Sequence, residues 1–163
     1  MKTLLIMRHA KSSWKHTELE DHDRPLNKRG TKDSARMAKL IRDKELVPQR
    51  ILCSSAARAR LTATALIEKT EFHGTIEYLD ALYMAEAPVC LEVLRSLPDD
   101  LERVMLVGHN PGLEGLLQVL SGRIESLPTA ALAYLTVPIK SWQDLSTDTQ
   151  GELIEFWRPR DLK

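Results

Sequence analysis

Two apolar runs constrain the fold of this chain more than anything else in it. "TLLIM" (residues 3–7) and "RVMLVG" (residues 103–108) are short, nearly continuous and free of internal turn residues, as buried strands are. Each runs directly into polar side chains. Arg8 and His9 follow the first, and His109 and Asn110 follow the second. Between and after them, strand-like and helix-like patterns alternate. The spacing predicts a helix within "LNKRGTKDSARMAKLIRDK", with Asn27 as N-cap, or else Thr31, and Gly30, Ser34, Met37, Ala38 and Ile41 marking its turns. "RILCS" reads as a strand. "ARARLTATALIEK" reads as a helix, with Ala57, Leu61, Thr64, Ala65 and Glu68 marking successive turns. "IEYLD" is a short strand, and "PVCLEVLRSL" is a helix that ends before Pro98. "NPGLEGLLQVLSG" is a helix with Asn110 as cap, Pro111 in its first position and an apolar stripe of Leu113, Leu117 and Leu120. "ALAYLTVPI" and "GELIEFW" close the chain as strands without a long helix between them, so hairpin or edge pairing is expected there. The alternation predicts an α/β domain with a largely parallel sheet. No repeat, low-complexity tract or linker divides the chain, so residues 1–163 are expected to form one domain.

In open α/β sheets, ligands bind outside the carboxyl ends of the strands. Three strand ends then deliver Arg8 and His9, Ser54, Ser55 and Arg58, and Gly108, His109 and Asn110 to one edge. That set holds two imidazoles, two guanidiniums and no carboxylate, the composition of a site for a dianion such as phosphate. Arginine matches phosphate oxygens with paired donors, and the amino end of the helix after Asn110 adds free N–H groups. A neutral imidazole can attack phosphorus, and arginines offset charge on the equatorial oxygens in the transition state. A second imidazole can donate to the same phosphoryl group.

Composition narrows the alternatives. Lys plus Arg and Asp plus Glu are both 23, for a formal net charge of zero. That balance argues against a general nucleic-acid or anionic-membrane binder. The apolar run near Lys2 stops at Arg8, too short for a signal sequence, and nothing approaches a membrane span. Cys53 and Cys90 form no paired motif, so neither a disulfide framework nor a zinc site is expected, and a reducing cytoplasm is the simplest setting. A cysteine phosphatase needs Cys and Arg separated by five residues. Arg58 is separated from Cys53 by four and Arg60 by six, with Ala59 in the required place. The tract "HTELEDHD" (His16, Glu18, Glu20, Asp21, His22, Asp23) has no metal-ligand spacing and reads as a solvated loop, which Arg24 is expected to fix beside the pocket by pairing with Asp21 or Asp23.

The segments "MRHAKS", "DRPLNKRG", "ILCSSAARARLTA" and "VMLVGHNPGLE", in that order, resemble the histidine phosphatase superfamily, and within it the small SixA-type phosphohistidine phosphatases. The resemblance spans essentially the whole chain, to the "FWRPRDL" tail. It implies a phosphoglycerate-mutase-like fold: a three-layer sandwich with a mostly parallel central sheet and helices on both faces. It implies a phosphatase without metal or cofactor. His9 would be the phosphate-accepting nucleophile, Arg8 and Arg58 would bind the phosphoryl group, and His109 would be the second pocket histidine, with Asn110 beside them. The expected substrate is phosphohistidine in a protein. The alternatives are a small phosphorylated metabolite on the same fold and a module that binds phosphate or phosphohistidine without turnover. No nucleic acid or membrane partner is expected, and a monomer is the expected state.

Two departures matter. Ala10 stands where the superfamily usually has Gly, and its methyl is expected to narrow the pocket. Many members carry a general-acid Glu two residues beyond a Leu after the third strand, whereas here Ala81 follows Leu79 at that spacing. Asp80 and Glu86 lie near without clearly filling the role. An alcohol leaving group benefits from a proton donor, while imidazole leaves readily once protonated, so the missing acid fits a phosphoramidate substrate. The short loops predict an open pocket rather than one that retains a phosphoenzyme as mutases do. The sequence leaves open whether Lys11 and Ser12 touch substrate.

Overall fold

A computed structural model describes residues 1–162. Six strands form one sheet: β1 (Lys2–Arg8), β2 (Arg50–Ser54), β3 (Thr75–Leu79), β4 (Arg103–Gly108), β5 (Leu132–Val137) and β6 (Glu152–Trp157). Their order is β3-β2-β4-β1-β5-β6. The first four are mutually parallel, and β5 and β6 pair antiparallel, as the missing helix between them requires. Four helices cover the sheet: α1 (Lys28–Asp43), α2 (Ala57–Lys69), α3 (Ala87–Arg95) and α4 (Gly112–Ser121).

Alternation along each strand divides the core in two. Leu5, Met7, Ile51, Cys53, Met105 and Val107 face Met37, Ala38 and Ile41 of α1 and Ala59, Ala63 and Leu66 of α2. Leu4, Ile6, Leu52, Val104 and Leu106 face Leu91 and Leu94 of α3 and Leu113, Leu116, Leu117 and Leu120 of α4. Helices therefore stand on both faces of a mostly parallel sheet, the expected three-layer sandwich. Each fully buried leucine in these layers contributes about 1.5–3 kcal/mol relative to its exposed state. Trp142 is fully buried in the second layer, and its indole N–H donates to Leu101 O at 2.8 Å.

Local chemistry sets the helix starts. Asn27 caps α1 as expected, its Oδ1 accepting from Gly30 N–H at 2.8 Å. Two expectations need correction. The buried face of α2 is Arg58, Ala59, Thr62, Ala63 and Leu66; Leu61 and Glu68 face solvent, because packing on α1 and β2 decides the face where the apolar periodicity is weak. Asn110 does not cap α4. The helix begins at Gly112 behind Pro111, and no side chain caps it. The Asn110 amide instead donates to Glu114 Oε2 (3.0 Å) and Leu127 O (2.8 Å).

Gly30 lets α1 approach the segment after β1. A Cβ there would lie 2.1 Å from Lys11 O. Gly30→Ala is therefore expected to lower stability by about 1–3 kcal/mol through overpacking. Gly115→Ala, where the nearest atom is Ala87 Cβ at 3.6 Å, is expected to be neutral or to stabilise by up to about 1 kcal/mol from helix propensity. Urea midpoints of the two variants check the contrast.

Candidate active site

Parallel pairing of β1 with β4 sets Arg8 opposite Gly108. The next residue of each strand is a histidine, so the register brings His9 and His109 side by side, with ring centroids 5.1 Å apart. The backbone of His9 is held from both sides: its N–H donates to Gly108 O (3.1 Å) and its carbonyl accepts from Ala130 N–H (3.0 Å). Arg58 enters from the first turn of α2. Its Nε lies 3.4 Å from His9 Nε2 and its Nη2 lies 3.5 Å from His109 Nδ1. Thr62, one turn on, accepts from Ala10 N–H (2.9 Å) and donates to Arg58 O (2.8 Å), tying the helix to the segment after β1.

Arg8, His9, Arg58, His109 and Asn110 line one cavity of about 260 Å³. Lys11 and Ser12 line it too, which settles their position. Asp80 and Glu86 do not. A larger cavity of about 720 Å³ lies by α3 and α4, around Leu91, Val119 and Leu145. No histidine lines it, so chemistry rather than size selects the site. Ala10 corrects a further expectation: it is fully buried in the core layer with Met37, so its methyl packs away from the cavity and does not narrow it.

The proton positions of His9 follow from its partners. Nδ1 lies 2.7 Å from Ala10 O. A carbonyl only accepts, so Nδ1 carries the hydrogen and Nε2 keeps its lone pair, beside Arg58. Burial, reinforced by Arg58, Arg8 and Arg24, pushes the His9 pKa down to about 4 against the pull of the Ala10 carbonyl. Burial, then His9 and Arg58, pushes His109 down to about 3. Both rings are neutral near pH 7. His109 Nε2 is 2.8 Å from Ser54 Oγ, which also accepts from Ala56 N–H (3.2 Å).

The set expected from the strand ends held no carboxylate, and the structure adds one. Asp21, from a short turn at Asp21–Asp23, lines the cavity. Its Oδ2 accepts from Arg58 Nη2 (3.0 Å) and from the Tyr83 hydroxyl, and its carbonyl accepts from Arg58 Nη1 (2.7 Å). Its Oδ1 accepts from Arg24 Nε (3.1 Å) and Nη2 (3.0 Å), resolving the partner of Arg24 as Asp21 rather than Asp23. Arg24 also donates to Ser12 Oγ at 2.7 Å. The hydrogen bond from Tyr83, with those from Arg24 and Arg58, holds the Asp21 carboxyl far below the usual carboxylate range. On the other wall, Arg8 Nη1 and Asn110 Nδ2 both donate to Leu127 O, whose residue N–H donates to Glu114 Oε2 (2.7 Å). Among the described residues, Arg8 Nε and Asn110 Oδ1 are buried without a hydrogen-bond partner, which leaves polar capacity at the site.

The remaining motif residues have structural roles. His22 bonds Ser55 Oγ at 2.9 Å. Cys53 is fully buried, and burial pushes its thiol up to about 12, so it is inert as a nucleophile at neutral pH. Sequence reasoning placed the Asp21 loop beside the pocket through its pairing with Arg24 but did not bring Asp21 to Arg58, and it missed Thr62 and Glu114. Thr62 left a readable trace, one helical turn after Arg58.

The histidine pKa values make stability depend on pH. In the unfolded chain an imidazole takes up a proton near pH 6.5, whereas these two do so near 4 and 3. Between those limits the unfolded state binds more protons, so stability falls as pH drops from about 6.5 towards 4. Asp21, with its lowered carboxyl, adds its own loss only below about pH 4. The double variant His9→Asn, His109→Asn is expected to flatten the upper window, read as urea midpoint against pH.

The chain is similar to known proteins in both sequence and fold. Residues 4–83 match the family description "Histidine phosphatase superfamily (branch 1)". An uncharacterised chloroplastic protein of Arabidopsis thaliana is 32% identical over 152 residues, covering 88% of this chain and 70% of its own. The crystal structure of a candidate phosphohistidine phosphatase, SixA, from Agrobacterium tumefaciens superimposes with a TM-score of 0.84 at 30% identity, covering 97% of this chain and 98% of its own. A protein histidine phosphatase SixA complexed with tungstate shares the fold at 23% identity and a TM-score of 0.84, covering 99% of both chains. This chain belongs to the histidine phosphatase superfamily, has its phosphoglycerate-mutase-like fold and is a phosphatase.

Proposed function

We propose that the protein removes the phosphoryl group from phosphohistidine in a protein, through a phosphorylated His9. The phosphoryl group sits among Arg8, Arg58, His109 and Asn110, with its phosphorus facing the lone pair of His9 Nε2. A bond forms from Nε2 to phosphorus as the bond to the substrate imidazole breaks. The substrate ring carries a proton from solvent on its other nitrogen, so it leaves as a neutral imidazole when the departing nitrogen keeps the bonding pair. Water then attacks phospho-His9, releasing inorganic phosphate and restoring the neutral ring. Arg8 and Arg58 offset charge on the equatorial oxygens in both steps. Ser54 donates to His109 Nε2 in this scheme, so that Nδ1–H of His109 points to the phosphoryl oxygens beside Arg58 Nη2.

The observation that carries the choice of substrate is the state of Asp21. Among the described residues, it is the one carboxylate lining the cavity, and its hydrogen bonds hold it ionised. A carboxylate held ionised at neutral pH is a poor proton donor to an alkoxide. The site is thus suited to leaving groups that need no strong acid beside them, and a phosphorylated imidazole is such a group. The likeness to SixA proteins supports the same reading. All six strands lie in one sheet, which supports taking the chain as a single catalytic domain. Both cysteines are free and buried, which suits a reducing, cytoplasmic setting, and among the described residues no helix is long and apolar enough to cross a membrane.

The test compares kcat/KM for a phosphohistidine peptide and for glycerol phosphate. A general acid contributes about 10²–10⁴-fold to catalysis, so the peptide is expected to be preferred by at least about 100-fold. Faster hydrolysis of the alkyl ester would overturn the reading in favour of a small-metabolite phosphomonoesterase. Phosphate binding without turnover of either would favour a binding module.

A further inference from the structure

Two side chains of the cavity have no role in phosphate chemistry. Trp14 is 71% exposed and Met84 is 50% exposed, yet both line the same cavity as His9 and His109. Both side chains are largely apolar, and the scheme above assigns neither to a phosphoryl oxygen. Isolated exposed apolar residues are ordinary, and Ile124, 80% exposed, needs no explanation. Trp14 differs because it is held. The Arg24 guanidinium carbon lies 3.6 Å from its ring centroid. Arg24 is itself buried and fixed by Asp21, Ser12 and Ser13. One face of the indole is thereby pinned on a cation, while most of its surface remains open to solvent. Met84 is also set deliberately: its φ is +51°, a conformation non-glycine residues rarely adopt, and its Sδ lies 3.9 Å from Arg58 Nη2. Trp14 follows β1 and Met84 follows β3, and β4 and β2 lie between those strands in the sheet.

We propose that Trp14 is a specificity-determining residue whose open face receives a flat, aromatic leaving group, with Met84 as a second apolar contact. A ring stacks offset on an indole, and a thioether adds favourable contact with a ring. The cation beneath Trp14 fixes the plane in advance, so little ordering is required when substrate arrives. In the phosphohistidine reading, on which the identity of the ring rests, that group is the substrate imidazole. The platform itself requires only that the leaving group be planar and aromatic.

Three phosphoryl donors test it: a phosphohistidine peptide, p-nitrophenyl phosphate, which has an aryl ring, and acetyl phosphate, which has none. The quantity read is kcat/KM for each ringed donor divided by that for acetyl phosphate, in the wild type, Trp14→Ala, Trp14→Phe and Met84→Ala. Trp14→Ala is expected to lower both ratios about tenfold, mainly through KM. Trp14→Phe keeps most of the preference, and Met84→Ala lowers it less than Trp14→Ala. An equal loss for all three donors would mean that Trp14 acts only by holding Arg24, and would overturn the proposal, as would no change in the ratios. If the wild type ignores the phosphohistidine peptide while Trp14→Ala still lowers the aryl ratio, the platform stands and the phosphohistidine reading falls.

Discussion

The site depends on the register of β1 against β4. Pairing Arg8 with Gly108 places His9 and His109 at equivalent points beyond two adjacent parallel strands. A slip of one residue would exchange the faces of every side chain on β1. Leu4 and Ile6 would leave the layer with α3 and α4, and Leu5 and Met7 would leave the layer with α1 and α2. Apolar burial on both faces of the sheet therefore enforces the position of the imidazoles. The bonds from His9 N–H to Gly108 O and from Ala130 N–H to His9 O complete the hold.

Electrostatics then determines the state of those rings. Two imidazoles 5.1 Å apart, with a guanidinium reaching both, would repel one another if charged. Burial and the surrounding arginines keep both neutral, the form in which Nε2 of His9 holds a lone pair. Asp21 works in the opposite direction. It orients Arg58 and Arg24 and balances part of the positive charge of the cavity. The hydrogen bonds that make it a good orienting group also make it a poor acid. One carboxylate thus ties the loop after β1, the first turn of α2 and Tyr83 into a single wall. The same arginine that Asp21 orients, Arg24, carries the indole of Trp14.

Much of this is legible in the sequence because it depends on strands and their ends. "TLLIM" and "RVMLVG" are buried on both faces and could be little else, and residues just beyond the carboxyl end of a parallel strand lie at the binding edge. Arg8, His9, Arg58, His109 and Asn110 are found in that way. The parts that escape depend on loops and on competition between partners. Asp21 lies in an acidic tract with the composition of a solvated loop, and only the folding of residues 11–26 brings it to Arg58. Asn110 has the sequence position of a helix cap, but the carbonyl of Leu127 and the carboxylate of Glu114 claim its amide. The buried face of α2 is built from Ala, Thr and Arg, and its weak apolar pattern cannot say which side turns inward. Ala10 is next to His9 in sequence, yet its side chain turns into the core against Met37.

The central claim is that His9 Nε2 accepts the phosphoryl group. The most direct measurement is a rapid alkaline quench during turnover of a labelled phosphoryl donor, which spares the acid-labile phosphoramidate, and then mapping of the labelled residue and ring nitrogen. The account predicts label on His9, at Nε2 rather than at the Nδ1 that donates to Ala10 O. Label on any other residue, or on His9 Nδ1, would contradict it.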